Sequence, residues 1–154
     1  MKPSEISQVR LIYPDTAQAS FVLKVNGPED YESHQPTGQR ARPANANAAR
    51  QYSSAAAKMR YEGAIIPSDP IYKRRDSLLA SEPVFEMEVT DVNGEVINLQ
   101  GYKIKGPATS FDPDLEAPQY DPDRLHGFIN EEQMVLLQYY GLKHVLKPAA
   151  YFTP

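Results

Sequence analysis

The chain has 154 residues, room for one domain, and is 41% apolar and 23% charged with a net charge of −4. It has no cysteine, which excludes a disulfide framework, a zinc–thiolate site, an iron–sulfur cluster and a thiol nucleophile. Its 14 prolines and 8 glycines, with a mean hydropathy of −0.54, leave no apolar run of membrane-spanning length, and the opening MKPSEISQVR lacks the apolar stretch of a signal peptide, so a soluble, intracellularly made protein is expected.

Two period-two segments open the chain. Val9, Leu11 and Tyr13 alternate with Gln8, Arg10 and Ile12; after Pro14–Asp15, Phe21, Leu23 and Val25 alternate with Ser20, Val22 and Lys24. This spacing predicts two half-buried strands joined as an antiparallel pair. Residues 26–47 (NGPEDYESHQPTGQRARPANAN) are dominated by Pro, Gly, Asn, Gln and charge. That composition predicts a long polar arm, and an arm of this length is expected to become ordered on a neighbouring subunit.

The stretch AARQYSSAAAKMRYEG predicts a helix, with Asn47 as its N-cap and Gly63 as its terminator. A second short helix follows, capped by Asp69 with Pro70 at its first position, with Ile71, Leu78 and Leu79 on one face and Pro83 closing it. Residues 84–92 place Phe85, Met87 and Val89 opposite Glu86, Glu88 and Thr90. Asn93–Gly94 then reads as a two-residue turn into a return strand through Val96, Ile97, Leu99, Tyr102 and Ile104, with Gly101 as a candidate bulge. Residues 106–127 read as an acidic, proline-rich linker. A final helix is expected to start at Asn130 as N-cap, with Gln133 in the capping-box position, and to end at Gly141 before an apolar tail within residues 130–154. The whole predicts a single domain, 1–154, of α+β class and mainly β. Its form would be a small antiparallel sandwich or barrel with two or three short helices, an extended arm and a C-terminal tail.

Charge is unevenly distributed. Residues 40–75 hold eight basic and two acidic residues, a surplus of six positive charges, whereas residues 76–132 hold thirteen acidic and three basic, a surplus of ten negative. Such blocks either pair between copies or fold against each other within one chain. A nucleic-acid role is disfavoured, because no binding motif accompanies the basic block.

The sequence carries no motif of a known catalytic type. His34, His126 and His144 are widely separated and lack metal-ligand spacing, and no nucleophile elbow, P-loop, dinucleotide fingerprint or HExxH occurs. Glu86 and Glu88 share a strand face, where a solvated surface is the simpler reading. Asp112, Asp114, Glu116, Asp121 and Asp123 crowd hard oxygen ligands into the linker. They are weak Ca²⁺ candidates, since the spacing is not that of an EF-hand and no glycine supplies the turn. No cofactor is expected.

A β-rich core, a long polar arm (26–47), a hairpin (84–104), an apolar tail (142–154) and no catalytic motif together resemble bacteriophage virion structural proteins of the tail tube, baseplate, neck or capsid cement type. The resemblance is one of architecture. It implies a non-enzymatic subunit of a large symmetric assembly, located in the virion and assembled in the host cytoplasm, whose partners are copies of itself and other proteins of the particle, with no membrane. The interface residues it implies are Tyr31, Arg40, Arg42, Arg50, Lys73, Arg74, Arg75, Tyr151 and Phe152. The alternative is a cellular binding or adaptor module whose arm orders on a partner protein.

Overall fold

The structure, a computed structural model, describes residues 1–37, 40–105 and 120–154. The described strands are β1 (Ile6–Ile12), β2 (Phe21–Gly27), β3 (Asp30–His34), β4 (Arg42–Pro43), β5 (Gly63–Ala64), β6 (Phe85–Asp91), β7 (Val96–Lys105), β8 (Tyr120–Ile129) and β9 (Gln133–Gln138). The helices are α1 (Ala46–Ala57), α2 (Arg75–Leu79) and α3 (Tyr139–Leu142), with 3-10 turns at Pro70–Arg74 and Ala149–Phe152 among others. All nine strands join one antiparallel sheet in the order β4-β3-β2-β1-β6-β7-β8-β9-β5. The architecture is therefore α+β and mainly β, as the alternating runs predict. No helix among the described residues is long and apolar enough to cross a membrane.

Register explains which side chains meet. Leu23, Val9 and Val89 stand opposite one another across β2, β1 and β6, as do Phe21, Leu11 and Met87. Because side chains alternate between faces, these rows bury one face of the sheet. α1 lies on that face and contributes Ala49, Tyr52 and Ala56 to the same core as Leu99, Leu125 and Leu137. A single 12-residue helix that shares one core with side chains from β1–β3 and β6–β9 requires the sheet to curl around it. Phe21, Tyr52 and Phe152 close the core edge to face, with ring centroids 4.7–5.5 Å apart.

The opposite face carries a smaller core. Tyr102, Phe128 and Met134 project there from β7, β8 and β9, and are covered by Ile65, Ile71, Tyr72, Leu78 and Leu79. The predicted helical face at Ile71, Leu78 and Leu79 is thus the one that packs. Asp69 caps the turn as expected, its Oδ1 accepting from the Ile71 N–H at 3.1 Å.

Several expectations are overturned. The described residues of 26–47 do not form an arm: Asn26 and Gly27 finish β2, and β3 and β4 extend the sheet. Sheet pairing satisfies polar backbone whatever the side chains are, so a near-edge strand needs only one buried anchor, and Tyr31 is that anchor. The apolar tail, expected to offer Tyr151 and Phe152 to neighbours, folds back instead, since Leu142, Val145 and Phe152 are buried in the chain's own core.

The helix expected from Asn130 is a hairpin, β8–β9. Asn130 and Glu131 take φ of 54° and 57°, and the Glu132 N–H donates to the Ile129 carbonyl at 3.1 Å. Met134, Val135 and Leu137 are apolar in succession because β9 is covered on both faces, a pattern that a buried helix shares. The expected linker is shortened accordingly: residues 120–127 lie in β8, and 106–119 lie outside the described residues.

Smaller corrections follow the same logic. Asn45, two residues before the expected cap, accepts from the Ala48 N–H at 3.0 Å, and α1 ends at Ala57 while Gly63 belongs to β5. In the β6–β7 hairpin only Gly94 has positive φ, 85°, and Asn93 does not. The Asp91 carboxylate there accepts from the N–H groups of Asn93 and Glu95 at 2.8 and 2.9 Å. Gly101 forms no bulge, pairing in regular register with Phe85 and Gly127.

Candidate functional surfaces

Antiparallel pairing sorts the connections to two ends of the sheet. One end gathers the β2–β3, β6–β7 and β8–β9 turns and the entry to β1. These turns carry Glu29, Asp30, Asp91, Glu95, Glu131 and Glu132 against Lys2, Arg50 and Arg60 beside them, so acids outnumber bases at this end. Beside the acids, Met1, Tyr61, Val92, Val96 and Ile97 are exposed, Val92 by 61%. Next to them lies a groove of about 250 Å³, apolar but for Arg60, whose wall includes Met59, Val89, Leu99, Ile129 and Leu137. The groove has a simple cause: α1 ends at Ala57 in small side chains, leaving the curled face beyond it uncovered.

The other end carries a pocket of about 340 Å³ between the β3–β4 corner and the C-terminal 3-10 turn. Pro43, Ala149 and Ala150 form its accessible apolar wall, over the buried Phe21 and Phe152, and Ser33, His34, Arg40 and Arg42 its polar wall. His34 Nδ1 lies 2.7 Å from the Gln35 carbonyl, which can only accept, so Nδ1 carries the proton. Gln35 Nε2 in turn donates to the Gln18 carbonyl at 2.8 Å, tying the exit of β3 to the β1–β2 connection. Arg40 and Arg42 are exposed at the rim.

The expected interface residues divide. Tyr31 is 7% exposed, its hydroxyl donating to the Pro28 carbonyl at 3.1 Å, and Phe152 is fully buried, so neither is available to a neighbour. Tyr151 is half-buried, with Lys147 Nζ 5.0 Å from its ring centroid. Arg50 is exposed and bridges Glu29 at 3.0 Å. Lys73 and Arg74 are exposed on the turn before α2, whereas Arg75 is half-buried. Its guanidinium donates to the Tyr72 hydroxyl at 3.1 Å and to the Glu131 carbonyl at 2.9 Å, fastening α2 to the β8–β9 turn.

The charge blocks also read differently in space. The described ion pairs are Arg10–Glu88 at 3.9 Å, Arg50–Glu29 at 3.0 Å and Arg124–Glu62 at 2.9 Å. None joins a cation of 40–75 to an acid of 76–132, and Arg124–Glu62 joins the two blocks with the signs reversed. Arg124 holds the Glu62 carboxyl below its usual range through that hydrogen bond. Glu86 accepts from Asn98 Nδ2 at 3.2 Å and Glu88 faces Arg10, which makes their face an ordinary polar one.

Among the described residues no group of three or more His, Asp or Glu could hold a metal ion. Asp112, Asp114 and Glu116 lie outside the described residues. Asp121 Oδ1 accepts from the N–H groups of Asp123 and Arg124 at 2.8 and 3.2 Å, which is turn capping. Of the histidines, His126 sits half-buried on the face of the smaller core. Burial pushes its pKa below 6.5, opposed by the nearby charge of Asp69.

Neither end was legible in the sequence. Counting charge along the chain mixes the two ends, because each strand carries the chain from one to the other. The only signal for the groove was the run of alanines in α1 beside apolar residues flanking Asn93–Gly94. No family model, no curated protein and no solved structure matches the chain.

Proposed function

We propose that this chain is a non-enzymatic building block that associates with copies of itself into a symmetric assembly, of the kind from which bacteriophage virions are made. The observation that carries the reading is the acidic turn end, where Met1, Tyr61, Val92, Val96 and Ile97 stand exposed beside the apolar groove. A contiguous apolar patch rimmed by charge is the mark of a protein–protein contact. The arm and the tail lend this reading nothing, since both fold into the domain itself. The virion placement within it, as a tail, baseplate, neck or capsid cement component, rests on the architectural resemblance.

Light scattering across a concentration series tests the reading. The wild-type protein is expected to form discrete multimers, and Ile97→Asp, at a position 43% exposed, to remain monomeric with an unchanged thermal melt. A wild-type protein that stays monomeric at every concentration would overturn it and favour an adaptor module.

A further inference from the structure

We infer that the copies stack head to tail, the acidic turn end of one seated against the Arg40–Arg42 corner of the next. This rests on the reading of the chain as an assembly subunit and specifies the geometry of its contact.

Three observations carry it. First, the sheet edges are blunted: β4 and β5 are two residues each, and β4 contains Pro43, which has no N–H to offer. Lateral strand addition between copies is therefore disfavoured, and the ends are left for contact. Second, the two surfaces differ in sign. The β6–β7 turn presents Glu95 beside exposed Val92 and Val96, while the corner at the far end presents Arg40 and Arg42 around a pocket of about 340 Å³ whose accessible apolar wall is Pro43, Ala149 and Ala150. A turn with an apolar flank and a carboxylate rim fits a pocket with an apolar wall and a guanidinium rim. Third, the surfaces lie at opposite ends of the sheet, one at the β6–β7 turn and the other at the β3–β4 corner. A contact between unlike surfaces is heterologous, so each copy keeps one end free and the assembly grows into a ring or a stack. Two acidic ends facing each other would instead repel.

The absence of cysteine makes the test direct. Asn93→Cys places one thiol at the β6–β7 turn, and Ala150→Cys places one at the rim of the pocket; both positions are exposed. Mixed under a short thiol cross-linker, the two variants should give a dimer containing one of each, with little dimer from either alone. A chain carrying both substitutions should give a ladder of higher multimers. Arg40→Glu with Arg42→Glu in the Ala150→Cys chain should abolish the mixed product, and Glu95→Lys in the Asn93→Cys chain should restore part of it. The mixed yield should also fall as salt rises from 0.1 to 1 M, because the screening length shrinks from ~10 Å to ~3 Å. Self-cross-linking by each single variant would overturn the head-to-tail geometry. So would the lack of any cross-link in a sample whose light scattering shows multimers. In both cases assembly itself would stand. A monomeric wild type would overturn the assembly reading and this inference with it.

Discussion

Gly101 and Gly127 face each other directly across β7 and β8, and each vacates space that a side chain from the next strand fills. A Cβ on Gly101 would strike the Phe85 ring, and one on Gly127 would lie 2.6 Å from Leu137 Cδ1. Phe85 and Leu137 both belong to the buried core, so neither can swing into solvent. Gly101→Ala and Gly127→Ala are each expected to cost roughly 1–3 kcal/mol through overpacking. Urea denaturation checks this. Gly101→Ala combined with Phe85→Leu should lose less than the sum of the two single changes, a coupling that only a shared contact produces.

Gly94 makes a contrasting case. A Cβ there meets nothing within 4 Å, yet φ is 85°. The cost of a substitution is then backbone strain alone. Gly94→Val is expected to lose about 1–2 kcal/mol, and Gly94→Asn much less, since asparagine tolerates the left-handed region. Equal thermal melts for the valine and asparagine variants would contradict this account.

Phe152 and Tyr31 are predicted to matter to the folded subunit before they matter to any assembly. Phe152 packs edge-on to both Phe21 and Tyr52 with no exposed surface. Phe152→Ala is expected to destabilise by about 3–5 kcal/mol, the range for emptying a core aromatic site. Deleting residues 29–46 should unfold the protein, because β3, β4 and the Tyr31 anchor go with them. A deletion variant with a native circular dichroism spectrum and melt would show that the segment is dispensable.

What the sequence revealed, and what it hid, follows from how each element is stabilised. β1, β2, β6 and β7 show through period two because a core covers one face and polar contacts such as Arg10–Glu88 the other. β9 is hidden because Met134 packs in one core and Val135 and Leu137 in the other, so its pattern is apolar throughout. β3 is hidden for the opposite reason: only Tyr31 is buried, and backbone pairing to β2 does the rest. Asn130 looks like a helix cap because the same side chain serves a turn; here its Oδ1 accepts from the Asn98 N–H at 2.8 Å. The two functional ends depend on register, which no single segment encodes.

The last prediction concerns pH and His126. On β8 its side chain shares a face with Tyr102 on β7 and Leu136 on β9, and the segment bearing Asp69 packs over that face. Burial favours the neutral ring, so the folded-state pKa lies below 6.5, and Asp69 pulls it partly back. A depressed pKa means that the unfolded chain binds the proton more readily. The stabilisation is therefore complete above pH 6.5 and is lost as pH falls through the folded value. The melting temperature of the wild type is expected to decline between pH 7.5 and 5, a window above the ordinary titration of exposed carboxylates. His126→Gln should flatten that decline, whereas His144→Gln, at an exposed position, should leave it intact. Asp69→Asn gives the sign a second test. Asparagine can still accept from the Ile71 N–H, so the cap survives, but the charge that raises the His126 pKa is gone. Once measured by NMR, the His126 titration should move to lower pH in that variant. An unmoved titration would mean that Asp69 does not act on the ring, and an unaltered decline in His126→Gln would remove His126 from the account altogether.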